Sequence, residues 1–393
     1  MQPTTFIEKN WDRFCYLIFI ISLKLGHIIL EIIGIIAPIF GKLITKKGVI
    51  FFPYGFKGSD GANRRIMQYT KFFDHENIPT KVCHIAHDDT CHKYFNGPRW
   101  KWYFFLLFCF YKRIFQTIAA TKYEAIFIQR GMFPLYFDLK HPILEKTIYK
   151  INKNVTIDYW DSVFDGQLEL TINTVKYAKT ITVSNPFLEQ NFKQWHAQVV
   201  PWNISMVTSK YLPKINFELN HPITLVWTGL PHNLKNLNYI FPTLIKVNKK
   251  YPLKLRIIGR QAPTVEGLEI EHHFWDANTF HQLLQTADIG IYPEKNTIHA
   301  NGKSAMKVMD FLSTGLAMIG VPYGLPKEAK HLKNLFIADG EMEWENALIK
   351  LIENKPLREE LGAAARQTIV DNYDVHNSYI RLKNILFDNK TLN

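Results

Sequence analysis

The chain has 393 residues, enough for two domains that each bury a core. Its hydrophobic fraction of 47% excludes wholesale disorder. Four scattered cysteines exclude a disulfide framework and favour a reducing compartment. The formal net charge of +12 predicts an acidic partner or surface. Because no nucleic-acid motif is present and many basic residues adjoin apolar stretches, anionic lipid is favoured over nucleic acid.

The first predicted element is a long apolar segment, Phe14 to Phe40. It is too long for the apolar region of a signal peptide and long enough to span a bilayer. Lys24, His27 and Glu31 interrupt it and share one face at helical spacing, and charges in mid-membrane are costly. An in-plane amphipathic helix or a bent hairpin is therefore favoured, with a spanning helix and a buried helix as alternatives.

A second apolar segment, Trp100 to Phe110, begins with aromatic residues and is followed by basic ones. This order is typical of an interfacial element, although a core helix of the first domain would have the same pattern. Both segments have basic residues on their C-terminal side: Lys42, Lys46, Lys47, Lys112 and Arg113. We therefore expect the body of the protein at the cytoplasmic face of the inner (cell) membrane, as a peripheral or monotopic protein.

The rest of the chain predicts alternating strands and helices, and hence two parallel, doubly wound sheets. The predicted strands are Val49–Tyr54, Lys81–Ile85, Ala125–Gln129, Val155–Tyr159 and Ile181–Ser184, then a strand from Ile223, Leu253–Ile258, Asp288–Ile291, Ala317–Gly320 and Leu335–Ile337. The polar stretch from Trp202 to His221 is the predicted linker between the two sheets. A final helix is expected from about Pro356, with a break near Asp371 to Tyr373.

The segment GKSAMKVMDFLSTGLAMIGVPYG, Gly302 to Gly324, carries the most chemical information. As a helix that stops at Gly315, it would place Lys303, Lys307 and Asp310 on one polar face. A helix N-terminus with two cations attracts phosphate, and a carboxylate further along can accept hydrogen bonds from a ribose. The alternative is an ordinary amphipathic helix with a solvated basic face.

Several segments in order resemble the retaining family-four glycosyltransferases of bacterial surface-polysaccharide biosynthesis. In the C-terminal half these are ITLVWTGLPHNLKNL, LKLRIIGR, HHFWDANTFHQLLQTADIGIYPE and the Lys303 segment; in the N-terminal half they are GANRRIMQYTKFFDHENIP, IFIQRGMFPLYFDLKHPILEK, VTIDYWDS and ITVSNPFLEQNF. The likeness covers roughly Val49 to Tyr373. It implies the α/β GT-B fold, with two Rossmann-like doubly wound domains facing a cleft.

On this basis we expect four regions. Residues 1–47 form a membrane-associating segment, 48–205 an acceptor domain, 206–370 a nucleotide-sugar donor domain, and 371–393 a helix that returns to the first domain.

The resemblance also implies the site residues. The expected catalytic residues are Lys303, Lys235 and Arg130. The expected donor-binding residues are Gly58, Gly61, Arg64, Gly229, Arg260, Trp275, Lys307 and Asp310. Arg130, Asp158 and Asp161 follow strands of the first domain, where an acceptor-activating group is expected, although a structural Asp–Arg pair would fit equally.

Two departures from the family pattern concern the donor site. Leu230, Pro231 and His232 stand where the family has an arginine that holds the diphosphate, so Lys303 would carry more of the phosphate charge. The family also has two glutamates separated by seven residues. Asp310 matches the second of them, but the first falls at Gly302, which has no side chain.

The stretch CHIAHDDTCH, Cys83 to His92, contains several metal-ligand residue types, but its spacing matches no standard zinc pattern. We expect a loop there, and neither a metal nor a cofactor in the protein.

The predicted function is transfer of a sugar from a nucleotide-diphosphate sugar to a lipid-linked or polysaccharide acceptor, with retention. The expected partners are that donor, the acceptor and an anionic membrane surface, without nucleic acid. One alternative is a catalytically inactive GT-B relative that serves as a membrane-bound partner of a glycan assembly complex. Another is an epimerase on the same fold.

Overall fold

The structure is a computed structural model that describes residues 6–41, 47–133 and 140–387. The chain divides into two compact units. The first comprises Met1–Val183, Leu188–Trp202 and Tyr379–Asn393, and the second comprises Ser184–Phe187 and Asn203–Ser378.

The first unit is built on a parallel six-stranded sheet with the strand order β2-β1-β3-β4-β5-β6. Its strands are β1 Val49–Phe52, β2 Thr80–Val82, β3 Ala125–Gln129, β4 Val155–Tyr159, β5 Thr180–Val183 and β6 Val199–Pro201. The helices in this part of the chain are α1 Phe6–Gly41, α2 Asp60–Ala62, α3 Gln68–His75, α4 Asp88–Phe95, α5 Arg99–Ala119, α6 Ile143–Ile151, α7 Phe164–Val175 and α8 Pro186–Phe192. A π-helical turn, Asn63–Met67, joins α2 to α3.

The second unit contains another parallel six-stranded sheet, with the order β12-β11-β10-β7-β8-β9. Its strands are β7 Ile223–Thr228, β8 Leu253–Ile258, β9 Glu269–His273, β10 Ile289–Tyr292, β11 Met318–Gly320 and β12 Phe336–Ile337. Its helices are α9 Phe241–Asn248, α10 Phe280–Gln285, α11 Ile298–Asn301, α12 Met306–Thr314, α13 Glu341–Glu353 and α14 Lys355–Tyr373. The helix α15, Val375–Phe387, begins in the second unit, and its residues from Tyr379 onward belong to the first.

The two sheets confirm the predicted α/β class with parallel strands. The central strands β1, β3, β4, β5, β7 and β10 are buried along their whole length. Strands covered on both faces have continuous apolar sequences, which is why these segments could be predicted. The edge strands β6 and β9 were not predicted, because β9 has the polar sequence EIEHH and neither strand is fully buried.

The helix expected from Gly302 begins later, at Met306. The short helix α11 ends at Asn301, and Ala305 has a left-handed backbone with φ of 46° that breaks the path between the two helices. Lys303 therefore lies in the turn before α12, and the prediction that it shares a helix face with Asp310 is wrong. The stop at Gly315 is as predicted, since its φ of 70° suits glycine at a helix C-terminus.

Two helices are long and apolar enough to cross a membrane by length and composition, over Asn10–Ile39 and Arg99–Lys122. The predicted apolar segments thus both form helices, α1 and α5. Of the basic residues expected to follow the first segment, Lys47 is exposed, while Lys42 and Lys46 lie outside the described residues.

Candidate active site

The candidate site lies at the carboxyl edge of the second sheet. β10 and β7 are neighbours in that sheet, and β7 is followed by β8 and β9. Gly229, Arg260 and Glu294 each follow one of the strands β7, β8 and β10 within two residues. In open parallel sheets, ligands bind outside the carboxyl ends of the strands, so these loops are where binding chemistry is expected.

Lys303 is held by a buried carboxylate that was not predicted. Its Nζ lies 2.8 Å from Oε1 of Glu294, and the amide of Asn236 donates to Oε2 of the same carboxylate over 2.6 Å. Both carboxylate oxygens are therefore occupied, as a buried charge requires. In addition, the side-chain amide of Asn185 donates to the backbone carbonyls of Asn301 and Lys303, at 3.0 and 2.8 Å. The turn that carries Lys303 is thus fixed through both its side chain and its backbone.

Lys307, in the first turn of α12, lies against the loop that follows β7. Its Nζ is 4.5 Å from the ring centroid of Trp227, a cation–π contact. A Cβ atom at Gly229 would lie 2.7 Å from that Nζ, so glycine is needed for this close approach. Burial lowers the pKa of Lys307 to about 8; Glu294 opposes this shift, and the charge of Lys303 adds to it. A cation that is costly to keep charged would be stabilised by a bound anion.

Asp310 is buried within α12, with 5% of its surface exposed. The hydroxyl of Tyr211 donates to its Oδ1 over 2.5 Å, and the Tyr211 ring lies edge-on to His281. The predicted ribose ligand is therefore already part of a hydrogen-bonded contact inside the second unit.

The other predicted donor residues of this unit are accessible. Lys235 is exposed in the 3-10 helix Pro231–Tyr239, next to Asn236 of the Glu294 network. Arg260 is exposed after β8, and Trp275 follows β9 with 56% of its surface exposed. The carboxyl edge of the sheet thus gathers Gly229, Lys235, Arg260, Trp275, Lys303 and Lys307 in adjoining loops and turns.

The remaining predicted residues belong to the first unit. Gly58 is exposed in the loop after β1. Gly61 lies against the indole of Trp160, where an added Cβ would come within 2.7 Å of a ring carbon, and its carbonyl accepts from the Gln129 amide at 3.2 Å. The packing on Trp160 thus accounts for glycine at position 61.

The two consecutive arginines after this loop have different environments. Arg65 is fully buried: its Nε donates to Oδ2 of Asp158 at 2.9 Å, its Nη2 donates to the Trp202 carbonyl at 3.0 Å, and its guanidinium lies over the Trp202 ring. Arg64 is half-buried. Arg65 therefore serves the core of the first unit, whereas the Arg64 side chain is partly exposed to solvent.

Arg130 forms an ion pair with Asp161 and lies between the rings of Tyr54 and Trp160, at 5.3 and 5.0 Å. Its backbone is left-handed, with φ of 60°. An Asp–Arg ion pair, which the sequence left open beside an acceptor-activating role, is therefore present at this position. Such left-handed backbone in a non-glycine residue is uncommon and is found at functional sites more often than elsewhere.

The stretch from Cys83 to His92 forms a loop after β2 and the first part of α4. Among the residues that the structure describes, no group of three or more His, Cys, Asp or Glu side chains could hold a metal ion.

Sequence reasoning missed Glu294, Asn236 and Tyr211. A signal for Glu294 existed, because it stands two residues beyond β10 at the carboxyl edge where chemistry is expected. The family pattern instead places this carboxylate eight residues before Asp310, at a position that is Gly302 in this chain. Nothing in the local pattern distinguished Asn236 or Tyr211.

No protein-family model matches the sequence, and no curated protein matches it. Solved structures do match. A sucrose-phosphate synthase from Thermosynechococcus elongatus aligns with a TM-score of 0.62 and 12% identity over 87% of this chain and 98% of that one. A glycosyltransferase from Rickettsia africae aligns with a TM-score of 0.61 and 10% identity over 88% and 100% of the two chains. HepE from Anabaena, in complex with UDP and glucose, aligns with a TM-score of 0.59 and 11% identity over 86% and 99%. At these identities the likeness establishes the fold, which is the predicted GT-B fold.

Proposed function

We propose that this protein is a glycosyltransferase that moves a sugar from a nucleotide-diphosphate sugar to a lipid-linked or polysaccharide acceptor. The observation that carries the proposal is the pair of cations Lys303 and Lys307 beside Glu294, at the carboxyl edge of the second sheet. Support also comes from the fold, since the structures it resembles include glycosyltransferases and HepE with bound UDP and glucose.

The proposed role of the two lysines follows from the place where negative charge develops during sugar transfer. Departure of the nucleoside diphosphate concentrates negative charge on the phosphate oxygens, and fixed ammonium groups stabilise that charge in the transition state. Glu294 and Asn236 hold the Lys303 ammonium in place, so little reorganisation is needed when the donor binds. We infer retention at the anomeric carbon from the sequence resemblance to family four, and this protein-based stabilisation would act without a resident metal.

The acceptor and the location form part of the same proposal. We propose that the protein acts in cell-surface glycan biosynthesis, such as that of lipopolysaccharide, in a bacterium. It would work at the cytoplasmic face of the cell membrane. The net charge of +12 and the two long apolar helices support this location. Trp275 and Arg260 would contact the nucleotide. Of the residues in the first unit, Gly58, Gly61 and Arg64 are proposed to bind the donor and Arg130 is proposed to act in catalysis.

A second candidate function has a specific observation in its favour. Gly302 provides no carboxylate where the family has one, and Leu230 to His232 provide no arginine. These departures favour a catalytically inactive GT-B relative that binds a nucleotide sugar and serves as a partner in a glycan assembly complex.

Two measurements separate these functions. First, UDP-, GDP-, ADP- and CMP-sugars are screened by thermal shift, since a ligand at about 100 times its Kd stabilises the native state by about 2.7 kcal/mol. The stabilising donor is then supplied in radiolabelled form with a membrane extract, and the labelled products are separated. Transfer to an acceptor supports the enzyme. Stabilisation without turnover favours the inactive relative, isomerised nucleotide sugar indicates an epimerase, and stabilisation by no nucleotide sugar overturns the proposal.

A further inference from the structure

The N-terminal helix α1 is attached to the first unit along most of its length. Its side chains Cys15, Phe19, Leu30 and Ala37 are buried. Gly26 lies so close to α5 that an added Cβ would come within 2.5 Å of the Phe110 ring. A helix that packs one side against its own domain over most of its length cannot at the same time be surrounded by lipid.

Polar contacts reinforce this attachment. Glu31 of α1 forms ion pairs with Lys146 and Lys150 of α6, at 2.6 and 2.8 Å. The hydroxyl of Tyr111 in α5 donates to the Ser22 carbonyl at 2.8 Å. The charge at Glu31, which interrupts the apolar sequence, is thus neutralised by the domain and faces α6.

The opposite side of α1 is an exposed apolar stripe. Its residues recur every three or four positions, and each is between 49% and 66% exposed: Phe14, Leu17, Ile21, Leu25, Ile28, Ile32, Ile35 and Ile39. At 1.5 Å per residue the stripe is about 38 Å long. Soluble monomers rarely expose a continuous apolar surface of this extent, and such surfaces mark interaction sites.

The neighbouring helix α5 also has exposed apolar residues, namely Phe104, Phe108, Phe115 and Ile118. The two helices meet at aromatic contacts, Trp11 with Trp100 at 6.5 Å and Tyr16 with Tyr103 at 5.5 Å between ring centroids. We call the exposed apolar residues of α1 and α5 together the docking face.

The charges around the docking face are mostly basic. Lys24 is exposed at the margin of the α1 stripe, and Arg13, Arg99 and Lys101 are exposed near the ends of the two helices where Trp11 meets Trp100. Lysine and arginine at the edge of an apolar surface can place their charges at the level of lipid headgroups while their stems stay among apolar groups. Anionic lipid would be attracted to such an arrangement, whereas an apolar protein partner would have no need of it.

An open groove beside α5 is lined by aromatic rings and lysine side chains. Its volume is about 440 Å³, and its walls include the rings of Phe108 and Phe115 together with Lys81 and Lys112. Lys112 donates to the Ile85 carbonyl at 2.7 Å, which holds its ammonium at the groove. An acyl chain could lie against the rings while a phosphate lies between the ammonium groups.

We propose that the docking face lies in the plane of an anionic leaflet as a monotopic anchor, and that the groove beside α5 binds the phosphate of an anionic phospholipid. This proposal rests on the proposed function, because a lipid-linked acceptor is the reason for the protein to work at a membrane. It decides between the spanning and in-plane alternatives that the sequence left open.

Vesicle flotation tests the docking face. The full-length protein is expected to float with vesicles of phosphatidylcholine and phosphatidylglycerol, and much less with phosphatidylcholine alone. Leu17→Glu with Ile28→Glu should lower the bound fraction at least tenfold, while the control Ile215→Glu, at an exposed apolar residue of the second unit, should not. Lys81→Glu should reduce the preference for anionic vesicles, in contrast to the exposed Lys333→Glu. Equal binding by wild type and the Leu17/Ile28 variant would overturn the proposal. The proposal would also be overturned if the wild-type protein were a dimer that does not float with vesicles and if the same variant were a monomer, because the docking face would then be a dimer interface.

Site-directed labelling tests the orientation. Cys91 is replaced by serine, since the other three cysteines are buried, and a cysteine is introduced at Asn10 or at Lys47. In sealed vesicles carrying externally bound protein, a membrane-impermeant thiol reagent should modify both positions. Protection of one position and not the other would indicate a spanning helix and overturn the in-plane anchor. Nucleotide-sugar thermal shifts of wild type and of the Leu17/Ile28 variant report on the donor site separately. Unchanged membrane binding of that variant together with intact donor binding would therefore contradict the anchor and leave the proposed function standing.

Discussion

At the scale of single residues, the ion pair between Lys303 and Glu294 fixes the ammonium group of the proposed donor site. Glu294 is 5% exposed and shares its two oxygens between Lys303 and Asn236. The pair positions the ammonium while leaving Lys303 half-buried and so partly open to a ligand. Lys307, with its lowered pKa, supplies a second cation from the adjoining helix turn.

The lysines of the donor site can be tested by substitution. Charge-assisted hydrogen bonds are worth about 1.5–3 kcal/mol each. Lys303→Ala should therefore weaken donor use tenfold or more, and Lys303→Ala with Lys235→Ala should weaken it further, with far-ultraviolet circular dichroism unchanged. Lys249→Ala, an exposed lysine that precedes β8 at the amino edge of the same sheet, is the control. Normal kcat/KM in the double variant would rule out the proposed phosphate site.

The lowered pKa of Lys307 predicts a pH dependence. With a pKa of about 8, the ammonium loses its charge as the pH rises through 8, so donor affinity measured by calorimetry should fall between pH 7 and pH 9. Stability should change in the other direction. Between about 8 and the ordinary value of 10.5 the unfolded chain binds a proton that the folded chain does not, so the free energy of unfolding from this group rises with pH. Lys307→Met should abolish both changes, and an unchanged affinity profile in that variant would assign the pH dependence to another group.

The role of Asp310 can be separated from its contact with Tyr211. Asp310→Asn retains an oxygen that can accept from the Tyr211 hydroxyl, but it loses the charge. If the carboxylate binds a ribose, nucleotide affinity should fall about tenfold while the melting temperature stays nearly constant. Tyr211→Phe, which removes only the hydroxyl, provides the comparison and should cost about 0.5–1.5 kcal/mol of stability. A lower melting temperature of Asp310→Asn with full nucleotide affinity would instead assign Asp310 a structural role.

At the scale of elements, α1 acts as part of the first unit. Its contacts with α5 and α6 mean that deleting residues 1–40 would expose the apolar faces these helices now cover, so point substitutions are the better test.

The packing of α1 on α5 predicts the effect of a larger residue at Gly26. A Cβ there would already overlap the Phe110 ring, so Gly26→Leu should separate the helices and cost about 1–3 kcal/mol, as overpacking typically does. Gly166→Leu is the control, because no atom lies within 4 Å of the corresponding Cβ position. The stability of both variants is measured by chemical denaturation, with tryptophan fluorescence as the signal. Equal midpoints for Gly26→Leu and wild type would show that α1 is not packed as described.

At the scale of the whole molecule, the net charge of +12 is expected to act together with the proposed docking face. Raising the salt concentration from about 0.1 M to about 1 M shortens the Debye length from about 10 Å to about 3 Å. Binding to anionic vesicles, measured by co-sedimentation, should therefore weaken several-fold without being lost, because the apolar contact is not screened. Complete release by salt would indicate purely electrostatic attachment, and indifference to salt would remove the role of the basic charge.

The sequence by itself determined the two parallel sheets and the loops at the carboxyl ends of their strands, where binding residues are expected. Buried parallel strands such as Val155–Tyr159 have continuous apolar sequences, and the order of the strands fixes which loops share an edge. Lys303, Lys307 and Gly229 could be found in this way, since each lies near a recognisable strand or helix signal. The boundaries of the helices were predicted less accurately: α12 begins at Met306, later than predicted, because the backbone at Ala305 is left-handed.

Only the tertiary structure decided the partners of these residues. Glu294 contacts Lys303, which is nine residues further along the chain, and Asn236, which lies in the loop after a different strand. Tyr211 contacts Asp310, from which it is separated by 99 positions in the chain. Which of Arg64 and Arg65 is buried, and which side of α1 is covered, were likewise decided by the tertiary structure. The physical reason is the same in each case. Sequence periodicity identifies an apolar or polar face, but what covers that face depends on elements brought together from distant parts of the chain.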